Sequence, residues 1–240
     1  MTHAYSPDDL GIYLVADADV TAGRDLADIV GAAVDGGVRM VQLRAKELPA
    51  RDFLAAAIAS ARHTAGRATL VVNDRVDVFL AARAAGAAID GVHVGQSDLP
   101  VDAVRGLIGP GAVLGLSASL PSELDALAAL GAGTVDYLGA GAIRATPTKK
   151  DHPEPLGWDG FARFTALVRE RAAAAPASAL NTSAGCPLPC VAIGGVTADD
   201  APAARSSSAA GLAVVRAICA ADDPARAAAD LVTEWTQAHA

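Results

Sequence analysis

The chain has 240 residues, of which 52% are hydrophobic and 4% aromatic, and its formal net charge is −8. This length suits one or two domains, and the core has to be built mainly from Ala, Val, Leu and Ile. The negative charge disfavours nucleic acid and anionic membranes as partners, so an anionic ligand would need local cations or a metal ion. The sequence shows neither a signal peptide nor an apolar run long enough to cross a bilayer, which predicts a cytoplasmic protein.

Short apolar runs alternate with segments of helical period along the whole chain. The runs predicted as strands are Ile12–Ala16, Met40–Leu43, Thr69–Val72, Val92–Val94, Val113–Leu116, Val135–Leu138, Val191–Ile193 and Leu212–Val215. The segments predicted as helices are Asp25–Asp35, Ala50–Ala65, Val76–Ala85, Val101–Leu107, Ser122–Leu130, Gly160–Ala173, Ala198–Arg205 and Pro224–Ala238. Unbroken apolar strands that alternate with helices are typical of a parallel sheet covered on its faces. Eight such units predict an α/β protein with a single (β/α)8 TIM barrel, and a doubly wound sheet is the alternative.

The barrel is expected to cover about residues 11–238, within one domain that spans residues 1–240. The segment Arg171–Leu188 is rich in Ala, Pro, Ser and Asn, and it connects the sixth helix to the seventh strand. In a barrel of this kind, helix-to-strand connections lie on the face opposite the active site. We therefore expect residues 171–188 to form an irregular insertion that does not contact substrates.

Polar side chains gather directly after the predicted strands, whereas the turns that lead into strands are mostly Gly and Ala. The polar strand ends include Gln42, Arg44, Lys46, Asn73, Asp74, Asp98 and Ser117, and the seventh strand ends at Gly194 and Gly195. The carboxyl ends of all strands meet at one face of such a barrel. This asymmetry predicts a single active site at that face.

A long loop follows the sixth strand and carries two hydroxyl groups and two ammonium groups. These belong to Thr146, Thr148, Lys149 and Lys150. Ammonium groups as point charges and hydroxyls as hydrogen-bond donors are suited to phosphoryl oxygens. Taken alone, the loop is equally consistent with a solvated basic turn.

Six segments of the chain resemble the thiamine-phosphate synthase family, in order and at the matching strand ends. They are Tyr13–Asp17, Val41–Lys46, Val72–Asp77, Gly91–Asp98, Thr146–Lys150 and Val191–Gly195. The resemblance implies a (β/α)8 barrel that joins 4-amino-2-methyl-5-(diphosphooxymethyl)pyrimidine to a thiazole phosphate, releases diphosphate and requires Mg²⁺. The partners would then be small phosphorylated molecules, and the sequence leaves monomer and homo-oligomer open.

The resemblance also implies roles for individual residues. Asp74 and Asp98 would be the metal ligands; they follow neighbouring strands, and their oxygens suit Mg²⁺. The alternative for both is an N-cap at the start of the next helix. The catalytic residues would be Arg44, Lys46, Ser117 and Lys149. The substrate-binding residues would be Gln42, Leu43, Arg44, Ala45, Lys46, Asn73, Ser117, Thr146, Pro147, Thr148, Lys149, Gly195, Val215 and Arg216.

The implied reaction is a dissociative substitution. Negative charge that builds on the departing diphosphate would be stabilised by Arg44, Lys46, Lys149 and Mg²⁺. The aminopyrimidine ring can delocalise the positive charge left on its methylene carbon, which the thiazole nitrogen then attacks. No protein nucleophile is needed, and the sequence contains no Ser/His/Asp or Cys/His arrangement that would supply one.

Several positions depart from the residues usual in the family. Ala45 replaces a common glutamate, Ser119 stands where many members carry histidine, and Arg216 stands where serine is common. Ala142 and Ala145 also differ from the usual residues of the loop after the sixth strand. None of these changes removes a predicted metal ligand, but they bear on how active the enzyme is.

Two other functions fit the same fold. A thiazole tautomerase-like isomerase would rely on a histidine near the fifth strand, and Ser119 together with the intact Thr146–Lys150 segment speaks against it. A non-catalytic phosphate-binding barrel would have little need of both Asp74 and Asp98. His93 lies within the fourth strand and is predicted to pack or hydrogen-bond inside the barrel rather than to act as a catalyst.

Overall fold

The structure is a computed structural model that describes residues 4–145 and 154–238. Eight parallel strands form a closed barrel in sequence order, because β1 pairs with both β2 and β8. The strands are β1 Ile12–Asp17, β2 Met40–Arg44, β3 Thr69–Asn73, β4 Gly91–Val94, β5 Val113–Ser117, β6 Tyr137–Gly141, β7 Cys190–Ile193 and β8 Gly211–Val214. The prediction of a (β/α)8 barrel is confirmed, and the doubly wound alternative is wrong.

Helices surround the barrel. In the described residues they are α1 Leu26–Asp35, α2 Ala50–Thr64, α3 Val76–Ala84, α4 Val101–Ile108, α5 Pro121–Ala128, α6 Gly157–Ala174, α7 Ala201–Ser206, α8 Arg216–Cys219 and α9 Pro224–Gln237. Short 3₁₀ helices occupy Pro7–Leu10, Ala18–Val20 and Ala198–Asp200. The sequence did not predict α8, because a four-residue helix is too short to show a hydrophobic period. None of the helices in the described ranges is long and apolar enough to cross a membrane.

Strand β6 begins and ends later than the predicted Val135–Leu138. Its last residues, Gly139–Gly141, lie beyond the apolar run and were therefore assigned to the loop that follows. All three pair with β7 instead, where Gly141 lies opposite Ile193, and Gly139 also pairs with Ser117 of β5. A Cβ atom on Gly141 would lie only 2.1 Å from the Ile193 carbonyl oxygen, so the close approach of the two strands requires a glycine.

Apolar side chains fill two separate layers. The larger layer lies between the barrel and its helices, and it includes the fully buried Phe53, Phe79 and Phe161. Truncating such a side chain to Ala costs about 3–5 kcal/mol. The smaller layer lies inside the barrel and contains Tyr13 and Tyr137. The inside therefore combines apolar residues with hydroxyl groups, and this has consequences for the site.

The irregular connection between α6 and β7 lies at the amino-terminal end of the barrel. Its backbone pairs with the turn before β6: Ala132 donates to the Ala177 oxygen at 2.8 Å, and Gly133 donates to the Asn181 oxygen at 3.1 Å. Helix α6 continues to Ala174, so the irregular part is shorter than the predicted Arg171–Leu188. The connection is far from the strand ends that carry the polar residues.

Candidate active site

The carboxyl ends of β2 and β3 enclose a small cavity of about 210 Å³, lined by Ala45, Lys46, Asn73, Asp74 and Arg75. The Lys46 ammonium nitrogen lies 3.6 Å from Asp74 Oδ2, and the lysine side chain is 53% exposed. Both charges therefore face the mouth of the barrel, where an incoming ligand can reach them.

Asp74 adopts a left-handed backbone conformation, with φ of 61°. Its amide donates to the carbonyl oxygen of His93 at 2.9 Å, which ties the end of β3 to β4. Left-handed backbone in a residue other than glycine is uncommon, although Asp tolerates it better than most. When the surrounding structure maintains such a conformation, it is often at a functional site.

The carboxylates of Asp74 and Asp98 converge. Burial raises the pKa of Asp74 above its ordinary value, and the negative charge of Asp98 raises it further. Asp98 itself accepts a hydrogen bond from the Gly95 amide at 2.7 Å. Neither carboxylate caps a helix, since α3 and α4 have no side-chain cap and begin after Arg75 and Pro100. The capping alternative is therefore wrong for both residues.

This pair of carboxylates matches the way proteins bind Mg²⁺. Among the described residues, no group of three or more His, Cys, Asp or Glu side chains could hold a metal ion. Mg²⁺ commonly takes one or two protein carboxylates and completes its shell with water and substrate phosphates. The donor set formed by Asp74 and Asp98 therefore fits Mg²⁺ bound together with a phosphorylated ligand.

The residues predicted on β2 divide between two faces of the strand. Gln42 and Arg44 point into the barrel, and Arg44 forms an ion pair with the buried carboxylate of Asp17. Leu43 and Ala45 are buried in the layer between barrel and helices. Their side chains are buried there, although Ala45 also lines the cavity, so these two residues offer mainly backbone atoms to a substrate.

A group of polar side chains fills the barrel interior just below the mouth. His93 Nε2 lies 3.0 Å from Ser117 Oγ, and His93 Nδ1 lies 2.9 Å from the hydroxyl of Tyr137. His93 thus hydrogen-bonds inside the barrel, as predicted. Sequence reasoning missed the roles of Tyr13 and Tyr137; the only signal for them was the strand alternation that points both rings inward.

The ends of β6, β7 and β8 combine a glycine turn with two exposed arginines, Arg144 and Arg216. Gly194 and Gly195 both have positive φ, of 98° and 67°. Such a turn presents consecutive amide groups that can receive an anion. Val215 precedes α8, and Arg216 is the exposed first residue of that helix. The remaining predicted residues, Thr146, Pro147, Thr148 and Lys149, lie outside the described residues.

Arg144, which the sequence did not single out, ties β6 to the region after β7. Its guanidinium bonds both carboxylate oxygens of Asp200 and donates to the Gly195 oxygen at 3.0 Å. Trp158 donates to the same carboxylate at 3.2 Å. These bonds lower the pKa of Asp200 to about 2, with Arg144 as the main cause.

Ser119 takes part in structure rather than acid–base chemistry. Its hydroxyl donates to the Gly141 oxygen at 2.8 Å, and it accepts from the Gly141 amide at 3.2 Å. The side chain therefore joins the end of β5 to the end of β6. A histidine at this position would have to leave those backbone groups or find another way to satisfy them.

A larger cavity of about 490 Å³ lies between α1 and α2, outside the barrel mouth. Arg24 lines it, but its guanidinium already donates to the backbone oxygens of Thr21, Cys219 and Ala221. The other charged residues of its lining, Asp25 and Asp52, are acidic and would repel a phosphate. The smaller cavity at the strand ends is therefore the better candidate for binding a phosphorylated ligand.

A protein-family model described as thiamine monophosphate synthase matches residues 12–218 of this chain. A thiamine-phosphate synthase of Corynebacterium efficiens is 42% identical over 208 residues, which is 87% of this chain and 88% of that protein. One of Psychrobacter sp. is 38% identical over 232 residues, with 97% and 98% coverage.

A solved structure gives the same relationship. The thiamine phosphate pyrophosphorylase of Pyrococcus furiosus superposes with a TM-score of 0.77 at 25% identity, covering 98% of this chain and 99% of that one. The similarity therefore extends over nearly the whole length of both chains.

Proposed function

The chain belongs to the thiamine monophosphate synthase family, and on this premise we propose how its own residues carry out the reaction. The enzyme is a transferase that makes thiamine phosphate. It joins the aminopyrimidine diphosphate to the thiazole phosphate and releases diphosphate. The observation that carries the assignment of residues is the convergence of Asp74 and Asp98 beside Lys46 and Asn73 at the barrel mouth.

The diphosphate of the pyrimidine substrate binds at this place. Asp74 and Asp98 would hold Mg²⁺, which would supply positive charge to offset that of the diphosphate. Lys46 and Lys149 contribute ammonium groups to the same oxygens, and Asn73 contributes its amide. The exposed Lys46 is free to swing from Asp74 toward a phosphate, because its distance of 3.6 Å marks a loose ion pair.

Arg44 completes this cation set from inside the barrel. Asp17 is almost fully buried and fixes the guanidinium through an ion pair. A cation that is oriented before the substrate arrives needs no reorganisation when charge develops on the leaving group. Arg44 therefore stabilises the departing diphosphate more than it stabilises the bound substrate.

The pyrimidine ring lies across the mouth between Gln42 on β2 and Ser117 on β5. Leu43 and Ala45 contribute backbone groups of β2 and the turn that follows it, since their side chains are buried on the other face. The thiazole phosphate binds at the opposite side of the mouth. There Gly195 offers its amide, Arg216 offers charge, and Thr146, Pro147, Thr148 and Val215 complete the cradle.

The chemical step is a dissociative substitution at the methylene carbon of the pyrimidine. The bond to diphosphate breaks first, the aminopyrimidine ring shares the positive charge, and the thiazole nitrogen then forms the new bond. The protein acts by position and charge, with no covalent intermediate on a side chain. Holding two reactants in contact can supply up to about 7–11 kcal/mol of the barrier reduction.

The test is to supply purified protein with both substrates and follow products by mass spectrometry. We expect thiamine phosphate and diphosphate in equal amounts, loss of turnover after removal of divalent cations, and recovery when Mg²⁺ is added. Turnover that persists without divalent cations would contradict the metal assignment. Isomerised thiazole phosphate as the only product would instead identify the tautomerase-like alternative.

A further inference from the structure

Five buried or half-buried side chains form one continuous chain of hydrogen bonds across the barrel interior. Gln42 Nε2 donates to the Tyr13 hydroxyl at 2.6 Å, and that hydroxyl lies 2.7 Å from the hydroxyl of Tyr137. Tyr137 lies 2.9 Å from His93 Nδ1, and His93 Nε2 lies 3.0 Å from Ser117 Oγ. The two ends of this chain, Gln42 and Ser117, are the residues that hold the pyrimidine in the proposed function.

A glycine makes this chain possible. A Cβ atom on Gly115 would lie 2.3 Å from His93 Nδ1 and 2.3 Å from the Tyr137 hydroxyl oxygen. No side chain fits there while those two groups remain in contact. The interior of the barrel is therefore shaped around the hydrogen bond between Tyr137 and His93.

The hydroxyl and imidazole protons along this chain of hydrogen bonds can be ordered in only two ways, one from Gln42 to Ser117 and one from Ser117 to Gln42. A hydroxyl has one proton to donate, and a neutral imidazole has one donor nitrogen and one acceptor nitrogen. If Gln42 donates to Tyr13, then Tyr13 has to donate to Tyr137, because no other described residue accepts a bond from the Tyr13 hydroxyl. Tyr137 must then donate to His93 Nδ1, and the proton of His93 lies on Nε2.

Both tyrosines stay protonated and can therefore donate. Burial raises the pKa of Tyr13 and of Tyr137 above the ordinary value for tyrosine. The phenols are therefore donors throughout the physiological pH range. A buried hydroxyl whose proton finds no acceptor costs about 1–3 kcal/mol. This cost disfavours any arrangement in which one hydroxyl accepts from both of its neighbours.

We propose that this chain orients the two residues that read the pyrimidine ring, making Ser117 Oγ a hydrogen-bond donor toward the ring and Gln42 Oε1 an acceptor. Ser117 accepts from His93 Nε2, so its own proton points to the mouth. Gln42 uses its amide nitrogen on Tyr13, so its oxygen is left for the ligand. Tyr13, Tyr137 and His93 are positioning residues, since they act on the ring only through Gln42 and Ser117.

This arrangement is complementary to an aminopyrimidine. The exocyclic amino group donates to Gln42 Oε1, and a ring nitrogen accepts from Ser117. A pyrimidine with a keto group in place of the amino group would present an acceptor to an acceptor and be disfavoured. The inference rests on the proposed position of the pyrimidine between Gln42 and Ser117, but the direction of the chain does not depend on any substrate.

The direction can be measured in the free protein through the tautomer of His93. We would record long-range ¹H–¹⁵N correlations of protein labelled with ¹⁵N-histidine, and assign His93 from the spectrum of His93→Asn. We expect the proton on Nε2 in the wild type. A proton on Nδ1 would mean that the chain runs the other way, with Ser117 donating to His93, and would overturn the proposal.

The effect on substrate recognition is tested with Tyr137→Phe, which breaks the chain but keeps the ring. We expect His93 to lose its single tautomer and KM for the pyrimidine substrate to rise roughly five- to tenfold, the size of one hydrogen bond. The kcat and the KM for the thiazole phosphate should change little. A defect that is only structural would instead affect both substrates.

Tyr5→Phe is the matched control. The Tyr5 ring lies 6.5 Å from that of Tyr137 in the same interior layer, but its buried hydroxyl has no hydrogen-bond partner in the described residues. This variant should leave tautomer and KM unchanged. If the Nε2 proton is found but Tyr137→Phe raises KM only for the thiazole phosphate, the direction stands and the proposed position of the pyrimidine fails. Unchanged kinetics in Tyr137→Phe would refute the positioning role.

Discussion

The two halves of the barrel mouth differ in the groups that they present to a ligand. The half formed by the ends of β2 to β5 consists of side chains: paired carboxylates, cations, and the hydrogen-bond chain that ends at Gln42 and Ser117. The half formed by the ends of β6 to β8 is mainly a glycine turn, beside the exposed Arg216 and the ion pair between Arg144 and Asp200. In the proposed function, the first half therefore binds its substrate mainly through side chains and the second largely through backbone amides. Single side-chain substitutions should therefore be most harmful in the first half.

The largest effect is expected from Asp98→Ala, which removes one of the two converging carboxylates. Turnover should fall at least about a hundredfold, since a preorganised charge at the reacting group commonly contributes that much. Stability should change little, because the carboxylate accepts one backbone amide, that of Gly95, and its contact with Asp74 joins two acidic groups. Kinetics at saturating Mg²⁺ would measure the effect. Asp102→Ala, at an exposed position in the first turn of α4, is the control and should keep full activity. Full activity in Asp98→Ala would contradict the metal assignment.

A second experiment compares two residues of the loop after β6, Thr148 and Lys149, which are proposed to act on different substrates. Thr148→Val should raise KM for the thiazole phosphate by about 10- to 150-fold, the value of one hydrogen bond to a charged group. Lys149→Met should chiefly lower turnover, because the negative charge on the departing diphosphate, which Lys149 stabilises, grows in the transition state. Steady-state kinetics with each substrate varied in turn would distinguish them. If both variants weaken only thiazole binding, Lys149 belongs to the other phosphate.

The smallest effect on chemistry, and a measurable effect on stability, is expected from Asp200→Asn. The free energy of unfolding should fall by about 1–3 kcal/mol, nearer the lower value because Arg144 is half exposed. The pKa of Asp200 is depressed from 3.8 to about 2 in the folded protein. The stabilisation is therefore complete above pH 3.8 and is lost as pH falls toward 2.

Denaturant unfolding of wild type and variant between pH 7 and pH 2 would show the two curves converging at low pH. Asp199→Asn, at an exposed neighbouring position, is the control and should leave the curve unchanged. A difference that persists at pH 2 would mean that the variant acts through packing rather than through the charge.

The strand ends could be predicted from the sequence because they follow a local rule. Each apolar run ends where polar residues begin, and the barrel brings those ends together whatever the details of packing. This is why the order of residues along the chain is enough to place Asp74 and Asp98 side by side. The same rule places Lys46 and Asn73 beside them.

Contacts between distant residues could not be predicted in this way. Arg144 and Asp200 are held together by the arrangement of β6 and β7, and neither residue stands in a motif. Tyr13 and Tyr137 looked like ordinary apolar strand residues, because nothing local shows that their hydroxyls meet. Strand β6 was misplaced for a related reason: its glycines are required by a neighbouring strand, not by their own propensity.

The pairing of β1 with β8 has a consequence for how the protein is made. Ile12 and Leu212 are partners in the barrel, so all the residues between them have to leave the ribosome before the barrel can close. Until then β1 presents an unpaired edge, and partly formed sheets with open edges associate readily with other chains. Pairing of β1 with β8 is therefore the step that removes the last open edge of the sheet.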